Sequence, residues 1–200
     1  MRILIAAEGE SDEVVAERLL RSLFLTAEIQ SKRLPARGIG VVKRLVPDLV
    51  RAAHFGHFEL LVLHFDLDDT LLDTQLDASE SNRWREVRKE IDEVLVAVAG
   101  QGARSKPLQT VFMTPAQSTD AWLQWALMNL DGPKWEREDR HTLKRKLFGN
   151  PPRKLIEKAT AYASRLIEQM KVCEKWPRSL RAFQNALDVA QQAIGRAQLS

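Results

Sequence analysis

The stretch Glu59-Leu60-Leu61-Val62-Leu63-His64-Phe65-Asp66-Leu67-Asp68-Asp69 passes directly from a nearly continuous apolar run into a cluster of acids. An apolar run of this length, with Gly56 behind it and charge ahead, is the pattern of a strand covered on both faces. Such strands belong to parallel sheets flanked by helices, and the carboxyl ends of those sheets are where ligands collect. Asp66, Asp68 and Asp69 therefore stand where chemistry is expected, at the end of the most strand-like segment in the chain.

The sequence on either side keeps to the same alternation. Arg2 to Ala7 is a shorter apolar run, and Ser11-Asp12-Glu13 then precedes Val14, Val15, Leu19, Leu20, Leu23 and Phe24 at helical spacing. Acids at that position suit a helix N-terminus. Gln30 to Leu34 predicts a second strand, and Leu45, Val46, Leu49, Val50 and Ala53 predict a short helix. Residues 70–82 read as a polar connection, with Ser81 capping a helix that buries Trp84, Val87, Ile91, Leu95 and Val98 and stops at Gly100-Gln101-Gly102. Leu108 to Met113 predicts a fourth strand, and Ser118 or Thr119 caps a helix containing Trp122, Trp125, Ala126 and Leu130. Strands alternating with helices predict an α/β fold with a mostly parallel sheet.

Beyond Asp131 no further strand pattern follows. A Pro- and charge-rich connection holds Gly132-Pro133 and Gly149-Asn150-Pro151-Pro152. Two amphipathic helices come after it, one marked by Leu155, Ala159, Tyr162, Leu166 and Met170, the other by Leu180, Phe183, Leu187, Ala190 and Ile194. Residues 1–130 thus read as an α/β core, and 131–200 as a helical extension packed on it.

Composition narrows the class. With 200 residues, 44% hydrophobic and 28% charged, the chain can bury a sizeable core without disulfides or structural metals. A single cysteine, Cys173, excludes an internal disulfide and any cysteine-held zinc or iron–sulfur centre, which fits a cytoplasmic protein. The opening apolar run is too short for a signal peptide or a membrane span, so no membrane association is expected. Charge divides unevenly: residues 1–131 hold 15 Lys and Arg against 20 Asp and Glu, net −5, whereas 132–200 hold 15 against 7, net +8. An acidic part that converges on a site would hold divalent cations, and a basic part would meet a polyanion such as nucleic acid.

The acids are placed for such convergence. Glu8 follows the first strand, Asp66 and Asp68 the third, and Asp120 comes shortly after the fourth, so a parallel arrangement brings all four to one edge. Carboxylates gathered in that way repel one another unless a cation lies among them, and oxygen ligands favour Mg²⁺ or Mn²⁺ over zinc. In the basic part, Lys144-Arg145-Lys146 and Arg153-Lys154 are suited to neutralising phosphates. Trp135 and Phe148 read as packing residues before stacking platforms, and Tyr162 and Cys173 as structural. His54, His57 and His64 read as ordinary polar or core histidines.

Taken together, Glu8-Gly9-Glu10-Ser11-Asp12 after one strand and Leu61-Val62-Leu63-His64-Phe65-Asp66-Leu67-Asp68 at the end of another resemble the Toprim fold. That fold is shared by topoisomerases, primases and OLD-type nucleases, and the likeness is greatest to small bacterial Toprim-like proteins often associated with mobile-element or phage-defence loci. The Glu-Gly-x-x-Glu motif of OLD-type members aligns with Glu8, Gly9 and Asp12, and their Asp-x-Asp with Asp66 and Asp68. Asp120-Ala121-Trp122-Leu123 stands where the small proteins commonly read Glu-Ala-Trp, so Asp replaces Glu at two positions. The resemblance covers roughly residues 1–130. It implies a nuclease, or a related enzyme acting on phosphodiesters of DNA or RNA, that uses Mg²⁺ or Mn²⁺. Glu8, Asp66 and Asp68 would be its principal catalytic and metal-binding residues, and Asp12 and Asp120 would be further metal ligands. It further implies a basic residue in the extension, for which Lys154 is the choice, and a separate ATPase partner, because this chain has no Gly-x-x-x-x-Gly-Lys-Ser/Thr loop.

Two other readings compete. Phe65-Asp66-Leu67-Asp68-Asp69-Thr70-Leu71 resembles the nucleophile motif of haloacid-dehalogenase-like phosphatases, in which Asp66 would attack phosphate and Asp68 would act as acid and base. Thr114 and Lys134 or Lys144 would then supply its later motifs, but no later apolar strand ends in the acidic pair that family requires. The second alternative is a noncatalytic Toprim-like regulatory module whose function lies in an interface. Oligomeric state is left open by these residues.

Overall fold

Among the described residues four strands form one parallel sheet, and their order decides where the acids lie. The computed structural model describes residues 1–34, 39–66, 82–101, 106–116, 118–128 and 131–196. Strands β1 (Arg2–Ala7), β2 (Glu28–Arg33), β3 (Leu60–His64) and β4 (Gln109–Met113) lie in the order β2-β1-β3-β4, every neighbouring pair parallel. β1 is central, with Ile3 opposite Ile29 on one side and Leu60 on the other. β2 begins at Glu28, two residues before the expected start, because its pairing with β1 opens with the Glu28 N–H donating to the Met1 carbonyl at 2.9 Å. β2 is an edge strand, and its exposed Glu28, Lys32 and Arg33 discourage pairing with another chain.

Because successive strand residues face opposite ways, the sheet feeds two cores. Ile3, Ile5, Leu60, Val62, Val111 and Met113 enter one, while Leu4, Ala6, Leu61, Leu63 and Phe112 enter the other. The crossover through α1 (Glu10–Leu23) steps from β1 to β2. The next, through α2 (Ile39–Phe55), returns past β1 to β3, and right-handed connections in opposite directions place their helices on opposite faces. Accordingly α2 and α3 (Asn82–Val98) pack together under the second core, while α1 packs over the first.

The first core is completed by the rest of the chain: α4 (Thr119–Met128), α5 (Gly132–Trp135), α6 (Arg140–Phe148), α7 (Leu155–Val172) and α8 (Arg178–Arg196). Trp122, Trp125, Trp135, Phe148, Leu166 and Leu180 are buried in the same cluster as Ile3 and Val62. The segment read as a connection from 132 to 152 therefore contains two helices. Pro133 sits in the first turn of α5, where its missing N–H costs nothing. Asp139 caps α6 by accepting the Thr142 N–H at 2.8 Å, and Leu143, Leu147 and Phe148 are buried. Gly132 is required by close approach, since a Cβ there would lie 2.3 Å from the Pro177 nitrogen.

A buried relay ties this part to α4. The Trp122 indole N–H donates to the Ser179 hydroxyl at 2.8 Å, Ser179 donates to the Glu136 carboxylate, and Glu136 accepts the Arg178 and Ser179 backbone N–H groups at 2.8 Å each. Burial pushes the Glu136 carboxyl above its usual range, although those bonds and Arg178 oppose the shift. Trp135 and Phe148 are both buried, in line with packing roles. Among the described residues no helix is long and apolar enough to cross a membrane.

Candidate functional site

The strand order puts a topological switch point between β1 and β3, whose connections leave toward opposite faces. In open parallel sheets the crevice outside the strand ends at such a point is the ligand site. Glu8 follows β1 directly, and Asp66 lies two residues beyond the end of β3. Gly9 precedes α1, and a Cβ there would stand 2.2 Å from Asp12 Oδ2, so the missing side chain makes room for that carboxylate. Asp12 occupies the first turn of α1, where the helix dipole favours negative charge.

The first-turn acids of α1 divide by direction. Glu10 and Glu13 turn to the end of β2, where the Arg33 guanidinium pairs with them at 3.1 and 3.4 Å. Asp12 turns to β3 and α4: its Oδ1 accepts a short hydrogen bond from the Thr119 hydroxyl and lies 3.8 Å from His64 Nε2. The same imidazole nitrogen lies 3.6 Å from Asp66 Oδ1. His64 continues the parity of Leu60 and Val62 and so faces α1. It is 0% exposed, and neither ring nitrogen has a hydrogen-bond partner. Burial lowers its pKa, against the opposing pull of Asp12.

Asp120, at the start of α4, is the fourth acid at this edge. Burial first, and the charge of Asp12 second, push its carboxyl up to about 7, while Lys144 and Arg140 on α6 draw it back down. A carboxyl raised so far by burial and a neighbouring carboxylate, in a crevice outside a parallel sheet, marks a candidate functional site.

Of the four acids expected at one edge, Glu8 follows β1, Asp66 follows β3 and Asp120 opens α4, Asp12 joins them from α1, and Asp68, like Asp69, lies outside the described residues. Lys154 caps α7 in a left-handed conformation, and its exposed ammonium pairs with Glu157 at 3.2 Å. The cations set beside Asp120 are instead Lys144 and Arg140. The three histidines also separate. His54 Nε2 lies 2.9 Å from the Gln101 carbonyl oxygen, and His57 is exposed, whereas His64 is buried and faces the carboxylates of Asp12 and Asp66. Tyr162 packs near Phe148 and donates to the Leu147 carbonyl, in keeping with a structural role.

The donor chemistry suits a divalent cation, since Asp12, Asp66 and Asp120 bring carboxylate oxygens from three segments to this edge. Among the described residues no three His, Cys, Asp or Glu groups already stand in place as a finished metal site, so occupancy would require the side chains to draw inward. No family model, no curated protein and no solved structure matches this chain.

Proposed function

We propose that this chain is a Toprim-like, divalent-metal-dependent enzyme that hydrolyses phosphodiester bonds in nucleic acid. The observation that carries this reading is that Asp12 and Asp66 both approach the His64 ring at the end of β3, 3.8 and 3.6 Å from its Nε2, with Glu8 directly after β1. Glu8, Asp12 and Asp66 would hold Mg²⁺ or Mn²⁺, with Asp68 adjoining in sequence. Such an ion supplies Lewis-acid charge at a phosphoryl oxygen and lowers the pKa of bound water.

The protein's own residues do the rest. Thr119 fixes the rotamer of Asp12 through their hydrogen bond, and the absent side chain of Gly9 leaves that carboxylate its space. Lys144 and Arg140 sit close enough to act on Asp120 and would neutralise a phosphate brought to the same edge. Asp120, pushed up to about 7, retains a proton near neutral pH and suits donation to a departing oxygen. The net +8 of residues 132–200 would attract the polyanion, and a separate chain would supply any ATPase step. A role in phage defence belongs to the same reading.

Purified protein is to be assayed on labelled single- and double-stranded DNA, on structured RNA and on a generic phosphomonoester, with Mg²⁺ or Mn²⁺ and with EDTA. Metal-dependent cleavage of a polymer, lost in Glu8→Ala and in Asp66→Ala, supports the proposal. Phosphomonoester hydrolysis that needs Asp66 but tolerates Glu8→Ala assigns Asp66 as a phosphatase nucleophile instead. Inactivity on every substrate in folded protein assigns a noncatalytic or partner-dependent module.

A further inference from the structure

We infer that His64 is a metal ligand, its Nε2 joining the carboxylates of Asp12 and Asp66, and that the resident cation is therefore a first-row transition ion in preference to Mg²⁺. This rests on the metal-dependent reading above and changes its ligand set and its ion. Burying an imidazole with neither nitrogen hydrogen-bonded forfeits its solvation, and a Leu or Phe would fill the end of β3 at lower cost. The ring is aimed: Nε2 lies 3.6 Å from Asp66 Oδ1 and 3.8 Å from Asp12 Oδ1. Two ligands of one ion, each at roughly 2.1 Å, stand roughly 3.0–3.4 Å apart at octahedral to tetrahedral angles. The observed separations exceed that by a few tenths of an ångström, within reach of small carboxylate rotations.

The three donors come from elements that hold them independently. His64 and Asp66 lie two residues apart and share one face, and Asp12 reaches them from α1. Thr119 donates to Asp12 Oδ1, the same oxygen that faces His64, and such a hydrogen bond orients a ligating carboxylate. A neutral imidazole offers Nε2 as a nitrogen donor once its proton rests on Nδ1. Mg²⁺ takes oxygen ligands and retains its waters, whereas imidazole binds first-row transition ions well.

The test uses the full chain stripped with EDTA and titrated with Mn²⁺, whose binding is read by electron paramagnetic resonance and whose ligand nuclei are read by spin-echo modulation. The expected result is a bound Mn²⁺ with a ¹⁴N modulation from coordinated imidazole. Mg²⁺ should displace it poorly. In His64→Leu the modulation should vanish and Mn²⁺ affinity should fall about tenfold or more. The chain has four histidines, so a variant lacking His54, His57 and His141 must keep the modulation, which decides the matter even if His64→Leu does not fold. Bound Mn²⁺ without nitrogen modulation, yet sensitive to Asp66→Ala, overturns the assignment of His64 and leaves the metal-dependent reading intact. Failure of folded wild-type protein to bind Mn²⁺ overturns both.

Discussion

At the amino end of the sheet, Glu59 receives the Lys106 ammonium at 2.6 Å, the Arg2 backbone N–H at 3.0 Å and the N-terminal amine at 3.6 Å, while Glu28 pairs with Arg2 at 3.2 Å. At the carboxyl end, Asp12 and Asp66 face one buried imidazole at 3.8 and 3.6 Å, and burial with the charge of Asp12 pushes the Asp120 carboxyl up to about 7. The pKa directions record the difference. Burial raises Glu59, but the Lys106 and Arg2 hydrogen bonds more than offset it and the carboxyl falls below its usual range. Glu28 is lowered by its bonds to Arg2 and Gln30. Asp120 moves the other way. At one end of the sheet Glu59 and Glu28 are held by Lys106 and Arg2 and serve stability, whereas at the other burial and the charge of Asp12 raise the Asp120 carboxyl, the mark of a candidate functional site.

That contrast can be broken by substitution at either end. Under the proposed function the largest expected effect is from Asp66→Asn: metal-dependent cleavage falls about a thousandfold, the several kcal/mol that metal-ion catalysis supplies, while the metal-free melting temperature holds. Activity and thermal unfolding of one preparation check both halves, and a loss of stability would place Asp66 among the structural acids.

Next in size is a pH effect at Asp120. In EDTA the folded protein keeps this proton up to about 7 while the unfolded chain releases it near 3.8, so between those values the native state binds more protons and stability falls as pH rises. The decline has a ceiling of about 4 kcal/mol, and Asp120→Asn should flatten it. Denaturant melts from pH 4 to 8 measure the slope, and equal slopes in the two proteins would refute the assignment.

Glu59→Gln should cost about 1–3 kcal/mol at pH 7, since Lys106 loses its ion pair in a partly buried position. Its wild-type contribution is present above the ordinary carboxylate pKa and is lost as pH falls through the depressed value. Metal affinity and cleavage should not change, the converse of Asp66→Asn. The smallest effect is that of Gly9→Ala. The backbone there is extended and tolerates alanine, but the new Cβ displaces the Asp12 carboxylate, so Mn²⁺ affinity should drop about tenfold with little change in melting temperature.

Much of this fold is legible along the chain. Leu60 to His64 reads as a strand because a run of apolar side chains has one economical conformation in a covered sheet, and Glu8 and Asp66 read as site residues because they end such runs. Residues 132–148 are less legible, since short helices there depend on Trp135, Leu143 and Phe148 finding the core built by β1 and β3. His64 escapes for a related reason: a lone histidine on an apolar strand has no local mark of its partners, one of which is on α1. Lys144 and Lys154 both lie in basic runs, and only the packing of α6 on α4 brings the first toward Asp120.

The sequence by itself determined the alternation of strands and helices and the placement of acids at strand ends, because periodicity, capping and apolar runs act over a few residues. Tertiary structure alone decided that β3 lies beside β1, that Asp12 turns inward while Glu10 and Glu13 turn to Arg33, and that Lys144 and Arg140 approach the acids. Those outcomes depend on which long-range crossover buries the most apolar surface, a sum over the whole chain that no local segment contains.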